Sequence, residues 1–237
     1  MNAHMAASFS FHRRMKPSPP AIVRRAMRLR AATLALFIAL GCSGCAHAQE
    51  ATTRDADYFP ISATARWEYA TRVTLATGHS FAVKTINRFD GATLIGNKRY
   101  FKWISHSTGF PTPQKAQVSF YRIAEDGLRR IFSIEDIEKG RGEYLELLLP
   151  IPLGTPWLIQ APGGVNEARA ERASSVQVDE RWYTDCLKVT YRLNSDEVQS
   201  EIVMYWARGI GMVKSTGTLT LKAGSATFEI KLVKYEP

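Results

Sequence analysis

The sequence predicts an all-β protein, a single antiparallel, strongly curved sheet or partly open barrel of roughly nine to eleven strands with little helix. Apolar and polar residues alternate with a period of two in most segments after Asp57, which is typical of strands with one buried and one solvent-exposed face. Short turn-forming segments separate these runs. Helical periodicity is nearly absent, and only Ile134–Lys139 and Glu167–Ala173 are predicted to form short turns.

The N-terminal half contains strands that alternate large apolar residues with polar ones. Tight turns separate them; in the turn at Ile95–Lys98, the central Gly and Asn tolerate a positive φ. In chain order, the predicted strands are Trp67–Leu75, the run from Phe81 to Thr85, Arg99–Ser105, Val118–Ile123 and Leu128–Ile134.

The C-terminal half repeats the pattern after one Pro- and Gly-rich interruption. Pro150 and Pro152 end a strand because proline cannot donate to a ladder, and Gly154–Gly164 is predicted to be a loop held to the core by Trp157. Gly209 and Gly211 are predicted to permit a bend between two strands. The predicted strands are Glu143–Leu149, Leu187–Leu193, Val198–Trp206, Leu219–Leu221 and Phe228–Leu232.

Several predicted strands carry large apolar residues on both faces. Two interpretations follow: loops or a short helix cover the second face, or that face is a groove for an apolar ligand. In the second interpretation, the ligand-facing residues are Trp67, Phe81, Phe101 and Trp206.

The first 48 residues have the features of a secretory leader. Arg28 and Arg30 precede the ten-residue apolar run Ala31–Leu40, and Ala46–Ala48 is a small-x-small cleavage signature. The run is too short to span a bilayer, which needs about 20 apolar residues. We therefore expect a leader over residues 1–48, a short lead-in over 49–60 and a single β domain over 61–237. Translation from Met27 instead of Met1 would give a leader of more ordinary length.

Two leader cysteines leave the mode of export open. The residues before Cys42, and to a lesser degree those before Cys45, resemble the lipobox of bacterial lipoproteins, in which the cysteine receives the lipid. Delivery to the outer membrane is the expectation for a lipoprotein without an Asp after that cysteine. Cleavage after Ala48 would instead remove both cysteines and leave a soluble periplasmic protein. Mass spectrometry of the mature N-terminus distinguishes these outcomes.

The charge distribution argues against a nucleic-acid partner. The chain has 31 Lys and Arg against 22 Asp and Glu, but residues 1–48 hold seven of the bases and no acid. The remainder carries 24 bases against 22 acids, a net charge of +2. A basic surface is therefore not a property of the mature region. We expect membrane contact only through a lipid anchor, and a monomer.

Cys186 is the remaining cysteine, so the mature region has no disulfide partner for it. Its position in the alternation, in phase with Lys188, predicts a partly exposed thiol. Replacing it by Ser is then expected to lower the free energy of unfolding by no more than roughly 1 kcal/mol.

Three fragments resemble bacterial exported envelope proteins and lipoproteins of unassigned function. They are Asp57–Pro60 followed by Trp67 and Tyr69, then Thr184–Val189, and finally Tyr205–Lys214 with its Trp-x-x-Gly-x-Gly-x-Val spacing. The opening departs from the usual Leu-x-x-Gly, since Ile61–Thr64 follows the proline. The resemblance implies an exported, β-rich single domain that is distantly like the half-barrel carriers of lipoproteins, and it implies no reaction.

No catalytic, metal-binding or cofactor-binding motif is recognised in the sequence. His79 and His106 are far apart and lack metal-ligand spacing, and Glu135, Asp136 and Glu138 are typical of a solvated loop. We therefore expect a protein that is not an enzyme and holds no cofactor. Two functions stay open: a carrier of an apolar or acyl ligand, or a structural or assembly protein, tethered to the outer membrane, that recognises another envelope protein.

Overall fold

Twelve strands form one antiparallel sheet in the computed structural model, which describes residues 55–135, 142–161, 164–194, 198–222 and 224–237. The predicted leader with Cys42, Cys45 and Ala48 lies outside the described residues, as do Asp136 and Glu138. The strands are β1 (Arg66–Leu75), β2 (Ser80–Ile95), β3 (Lys98–Thr108), β4 (Gln117–Ala124), β5 (Gly127–Ile131), β6 (Tyr144–Leu148), β7 (Trp157–Ala161), β8 (Gly164–Val178), β9 (Arg181–Asn194), β10 (Val198–Ala207), β11 (Gly211–Leu221) and β12 (Gly224–Glu236).

The sheet consists of two meanders joined by the first and last strands. Its order is β6-β5-β4-β3-β2-β1-β12-β11-β10-β9-β8-β7, so every neighbouring pair except β1 and β12 is consecutive in the chain. The terminal strands β6 and β7 contact each other, and the sheet therefore nearly closes into a barrel. The predicted all-β, antiparallel class is confirmed.

The strand count predicted from the sequence was too low. The sequence predicts a loop over Gly154–Gly164 and a short turn over Glu167–Ala173, but Trp157–Ala161 forms β7 and Glu167–Ala173 lies in β8. The buried positions of β8 include Ala168 and Ala170, both 0% exposed, between charged residues. Small residues at buried positions give little apolar alternation, so the period of two was not recognised in this segment.

Contacts of one phenyl ring demonstrate the curvature of the sheet. The ring centroid of Phe59 lies 5.1 Å from that of Tyr121 in β4 and 5.7 Å from that of Trp206 in β10. These strands are six positions apart in the sheet order, so a flat sheet would separate them by roughly 29 Å. The strands therefore wrap around an interior, and the predicted strong curvature is confirmed.

The turn between β10 and β11 contains the predicted bend. Gly209 and Gly211 have φ values of 73° and 98°, which favour glycine. A Cβ atom at Gly211 would lie 3.2 Å from Nε1 of Trp67, so a side chain there would press on the core as well. A register shift follows, because Tyr205 pairs with Lys214 and Trp206 with Met212.

The β8–β9 hairpin extends beyond its neighbour β10, whose pairing with β9 ends at Cys186 and Ala207. Its tip reaches β12, where Lys231 Nζ lies 2.8 Å from Asp179 Oδ1 and Arg181 Nη1 donates to the carbonyl of Val233 at 3.0 Å. Along the extension, Val176 and Val178 are buried in the main core. The hairpin therefore covers part of that core.

Cys186 lies inside the core and not at the surface. The adjacent Asp185 has a φ of 48°, and Cys186 and Leu187, although consecutive, are both buried. The strict alternation behind the expected partial exposure is therefore interrupted at this point. Burial, with a smaller contribution from Asp185, raises the pKa of the thiol to about 11.

We now expect Cys186→Ser to lower the free energy of unfolding by about 1–3 kcal/mol, above the value predicted from the sequence. Cys186 is 0% exposed, and its Sγ lies 3.3 Å from the carbonyl oxygen of Tyr183, in a site closed to water. Denaturant unfolding of both proteins measures the difference. A loss below about 0.5 kcal/mol would show that the site admits a hydroxyl without cost.

A second, smaller cluster lies on the opposite face of β3–β5. Tyr100, Phe120 and Ile131 are buried together, separate from the main core. The hydroxyl of Tyr100 donates to Glu143, and Arg122 Nε donates to Oε1 of the same carboxylate at 2.6 Å. Part of the second apolar face predicted from the sequence is therefore covered by the protein itself.

Candidate functional site

The interior of the curved sheet contains a cavity of about 110 Å³. Seven strands contribute to its lining, together with the segment before β1. The lining is mainly aromatic, its rings being those of Phe59, Trp67, Tyr69, Trp103, Tyr121 and Trp206. Met204 and Met212, whose flexible side chains adapt to irregular shapes, complete one side. The cavity is suited to an apolar guest.

The ring of Phe59 lies in the centre of this interior, although Phe59 belongs to none of the strands. It belongs to the segment Asp55–Ile61, which we name the plug segment and which precedes β1. Besides Tyr121 and Trp206, its ring contacts Trp103 at 6.1 Å and Phe89 at 6.3 Å between centroids. The pair with Phe89 is edge-to-face, a favourable arrangement for aromatic rings, and the other three pairs are tilted at 33–49°.

Trp67 is the most enclosed aromatic residue of the cavity wall. It is 3% exposed, and its ring packs on Trp103, Tyr235 and Phe89 at 5.2, 5.5 and 5.8 Å. Its Nε1–H donates to the carbonyl oxygen of Ile210 at 2.5 Å, which ties β1 to the β10–β11 turn. Trp67 therefore supports the fold as well as the cavity.

Two polar atoms of the cavity lining have no hydrogen-bond partner among the described residues. They are Oδ1 of Asn87, an acceptor, and Nε1 of Trp206, a donor, and both atoms are buried. A buried polar group without a partner costs about 1–3 kcal/mol, so a guest that reached either atom with a matching polar group would recover part of that cost.

Ionisable groups near the cavity are either paired or neutral. Glu146 lies 3.7 Å from Nη1 of Arg130, whose guanidinium in turn stacks on Tyr121 and Phe132 at 5.2 and 4.1 Å. Burial, with a smaller effect of Glu146, raises the pKa of Tyr121, so this phenol stays uncharged at neutral pH. As far as the described residues show, the site is an apolar chamber with a buried unpaired donor on Trp206, a buried unpaired acceptor on Asn87 and a carboxylate, Glu146, paired with Arg130.

A polar cluster at the margin of the interior holds the plug segment in place. The hydroxyl of Tyr58 donates to Oδ1 of Asp185 at 2.9 Å and accepts a hydrogen bond from Nη1 of Arg172 at 2.9 Å. Arg208 donates from Nε to Oδ2 of Asp185 at 2.5 Å, and its guanidinium lies over the ring of Tyr58 at 4.6 Å. We name Tyr58, Arg172, Asp185 and Arg208 the latch.

Further contacts attach the segment on both sides of Tyr58. The amide of Ile151 donates to Oδ2 of Asp55 at 2.9 Å, and the amide of Gly209 donates to the carbonyl oxygen of Asp57 at 2.9 Å. Hydrogen bonds from Arg208, then from Tyr58, lower the pKa of Asp185. The latch is therefore held by a charged carboxylate at neutral pH.

The structure brings together only some of the predicted ligand-facing residues. Trp67 and Trp206 line the cavity. Phe101 lies outside the lining and packs on the main core, with its ring 6.2 Å from that of Phe89. Phe81 lies outside the lining, and its ring contacts Phe110 at 6.1 Å.

Sequence reasoning did not identify Phe59 as a cavity residue, because that residue belongs to no strand and shows no alternation. The aromatic pair of Tyr58 and Phe59, flanked by Asp57 and Pro60, was available as a signal. The residues of the latch were also not identified, since the contacts of Tyr58 with Asp185 and Arg208 join distant parts of the chain.

Within the residues that the structure describes, no helix is both long and apolar enough to cross a bilayer. Over the same residues, no group of three or more His, Cys, Asp or Glu side chains has an arrangement that could hold a metal ion.

Comparison with solved structures finds exported proteins and lipoproteins. A Bacteroides fragilis protein described as exported with a YmcC-like fold matches over 76% of this chain and 98% of its own, at 12% identity and a TM-score of 0.45. A Parabacteroides distasonis protein described as a lipoprotein matches over 76% and 98%, at 11% identity and a TM-score of 0.39. A Vibrio parahaemolyticus domain described as an outer-membrane lipoprotein-sorting protein domain matches over 80% and 89%, at 9% identity and a TM-score of 0.24.

These descriptions name the same class of proteins that the sequence fragments resemble. Identities of 9–12% carry no function over to this chain. No protein-family model matches the sequence, and no curated protein matches it with significance.

Proposed function

We propose that this protein is a non-catalytic binding or carrier module of the cell envelope that holds a small apolar ligand inside its curved sheet. The observation that carries the proposal is the cavity of about 110 Å³, with its aromatic wall and the unpaired polar atoms of Asn87 and Trp206. Apolar walls with a few polar groups are the usual composition of small-molecule sites. The leader-like first 48 residues support delivery to the envelope, by a lipid on Cys42 or Cys45 or as a soluble protein cut after Ala48.

The chemistry of the described residues supports binding over catalysis. Burial keeps the Cys186 thiol protonated at neutral pH, with a pKa of about 11, so it is a poor nucleophile. The cavity carboxylate, Glu146, is partnered by Arg130. A ligand in this chamber would meet rings and methionines and no activated group.

The size of the cavity limits the guest. A cavity of about 150 Å³ lined by apolar side chains accepts one benzene ring. At about 110 Å³, this interior is smaller than that, so it accepts the end of a chain or part of a ring while Phe59 is in place. A larger guest requires that part of the interior be vacated.

We expect the purified protein to bind the uncharged fluorescent probe N-phenylnaphthylamine saturably, and Trp206→Ala to weaken that binding about tenfold. Truncating Trp206 removes a wall of the cavity and the buried unpaired donor on Nε1, so affinity should fall more than stability does. Probe fluorescence titrations measure the effect, with thermal unfolding as a check on the fold.

The matched control is Trp182→Ala. Trp182 is 64% exposed and lies at the β8–β9 turn, outside the cavity lining. Equal weakening by both substitutions would argue against the cavity as the binding site. The carrier function is excluded if neither the wild type nor a variant with a larger interior, such as Phe59→Ala, takes up the probe saturably.

The second candidate is a structural or assembly protein that recognises another envelope protein. The same structure offers one observation in its favour: Phe59 and its aromatic neighbours already fill most of the interior. If probe uptake is absent and unfolding is normal, this second function becomes the better account of the fold.

A further inference from the structure

We infer that the plug segment, Asp55–Ile61, is an internal occupant of the ligand site, and that the ligand enters by displacing Phe59 when the latch opens. The inference rests on the proposed carrier function and states where the ligand binds and how its access is controlled. It also gives the ligand a chemical class, an apolar molecule with a flat, uncharged ring and a polar atom beside it.

The first argument is the position of Phe59. Its ring occupies a slot formed by four aromatic side chains, Phe89, Trp103, Tyr121 and Trp206, at centroid distances of 5.1–6.3 Å. Each of these four belongs to a strand, whereas Phe59 does not. Phe59 can therefore leave without breaking a ladder of the sheet, and the slot it vacates has the dimensions of one ring.

The second argument is the nature of the attachment. The latch is polar, and the side chains of Asp185 and Arg172 are 50% and 52% exposed. Exposed ion pairs contribute little to stability, since water replaces them at small cost. The ionic part of the attachment therefore opens more easily than the aromatic core, while the burial of Tyr58 and the hydrogen bond from the Ile151 amide to Asp55 keep the closed state the major one.

The third argument is the unpaired donor of the wall. Nε1 of Trp206 is buried without a partner among the described residues, although the ring of Trp206 contacts Phe59. A phenyl group offers no acceptor of ordinary strength. A ring-bearing ligand with an oxygen or nitrogen acceptor would satisfy the donor that Phe59 leaves unpaired.

Three variants test the inference with N-phenylnaphthylamine as the probe. Phe59→Ala removes the occupant. We expect it to bind the probe about tenfold more tightly, because the state with an empty slot, which can bind the probe, is no longer a minor one. Tyr58→Phe keeps Phe59 and the cavity but removes the hydroxyl that joins Asp185 and Arg172, and it should also bind more tightly, by roughly three- to tenfold. Tyr100→Phe removes a hydroxyl on the opposite face and should bind as the wild type does.

The latch variant separates displacement from a simple change of volume. If Phe59→Ala binds more tightly while Tyr58→Phe equals the wild type, the substitution has only enlarged the cavity and the inference is wrong. Weaker binding by Phe59→Ala would show that Phe59 is a wall of the site; the inference then fails while the carrier function stands. If neither the wild type nor any variant binds, the carrier function itself fails. Should Phe59→Ala not fold, Tyr58→Phe still decides.

Hydrogen exchange gives a second readout that does not depend on affinity. The amide of Gly209 donates to Asp57 of the plug segment. If the ligand displaces the segment, exchange at this amide accelerates when the probe is bound to the wild-type protein. Unchanged or slower exchange would mean that the probe binds with the plug segment in place, and would overturn the inference.

Discussion

Replacing Trp67 by Ala is expected to lower the free energy of unfolding by about 3–5 kcal/mol, the range for large aromatic side chains removed from a core. Trp67 is 3% exposed and packs on three other aromatic rings. It also supplies the Nε1–H that the carbonyl of Ile210 accepts, so its removal leaves that partly buried carbonyl without this donor. Chemical denaturation monitored by circular dichroism measures the loss.

A graded series distinguishes packing from the hydrogen bond. Trp67→Phe retains a ring in the wall but lacks the donor to Ile210. Its loss in the free energy of unfolding should therefore lie between zero and that of Trp67→Ala. Trp182→Ala is again the matched control, with an expected change within about 0.5 kcal/mol because that side chain is 64% exposed. A Trp67→Ala loss no larger than that of the control would contradict the central role assigned to this residue.

Glu143→Gln is expected to lower the free energy of unfolding by roughly 2–3 kcal/mol at neutral pH. It should also make that free energy depend less on pH under acidic conditions. Burial alone would raise the pKa of Glu143. Hydrogen bonds from Arg122 and Tyr100 and the charges of Arg122 and Lys98 outweigh it and lower the pKa from 4.5 to about 2. The side chains of Glu143 and Arg122 are only 14% and 18% exposed, so solvent weakens this pair little.

The sign of the pH dependence follows from the lowered pKa. Above pH 4.5, the carboxylate is charged in both folded and unfolded chains, and its full stabilisation is present. As the pH falls towards 2, the unfolded chain takes up a proton before the folded one does, and the stabilisation is lost. The difference between the wild type and Glu143→Gln should therefore shrink over this interval.

Urea unfolding at pH 7 and at several values between pH 4.5 and 2 measures this effect. The matched control is Glu201→Gln, which removes an ion pair of 2.8 Å with Arg192 whose side chains are 51% and 61% exposed. Glu201→Gln should lower the free energy of unfolding by no more than about 1 kcal/mol. A difference between the wild type and Glu143→Gln that stays constant down to pH 2 would contradict the lowered pKa.

The sequence predicted the elements whose large apolar residues alternate. Such alternation follows directly from one more buried and one more exposed face in β1 and in the part of β9 after Cys186. The prediction from alternation was wrong for β8, where the buried side chains include alanines. It was also wrong for Cys186, where the φ of 48° at Asp185 interrupts the pattern. Local periodicity carries no information on either feature.

Only part of the candidate site could be predicted, because alternation shows which face a residue occupies but not which strands meet. Alternation placed Trp67 and Trp206 on apolar faces, and the structure brings both to the cavity. Which strands meet across the interior depends on the closure of the whole sheet, which no local pattern encodes. Phe59 contacts β4 and β10 at once only because the sheet has curved around it.

The pairing of β1 with β12 sets the order in which the molecule can be assembled. Arg66 pairs with Glu236, so the central seam of the sheet joins residues from opposite ends of the domain, whereas the other ladders join consecutive strands. Hairpins form early because their loops are short, and a seam of such long sequence separation forms late. Until β12 has been synthesised, β1 presents one open edge, the kind of surface on which chains aggregate. A ribosome or a translocation pore that releases this chain from its N-terminus therefore holds an incomplete sheet until β12 has emerged.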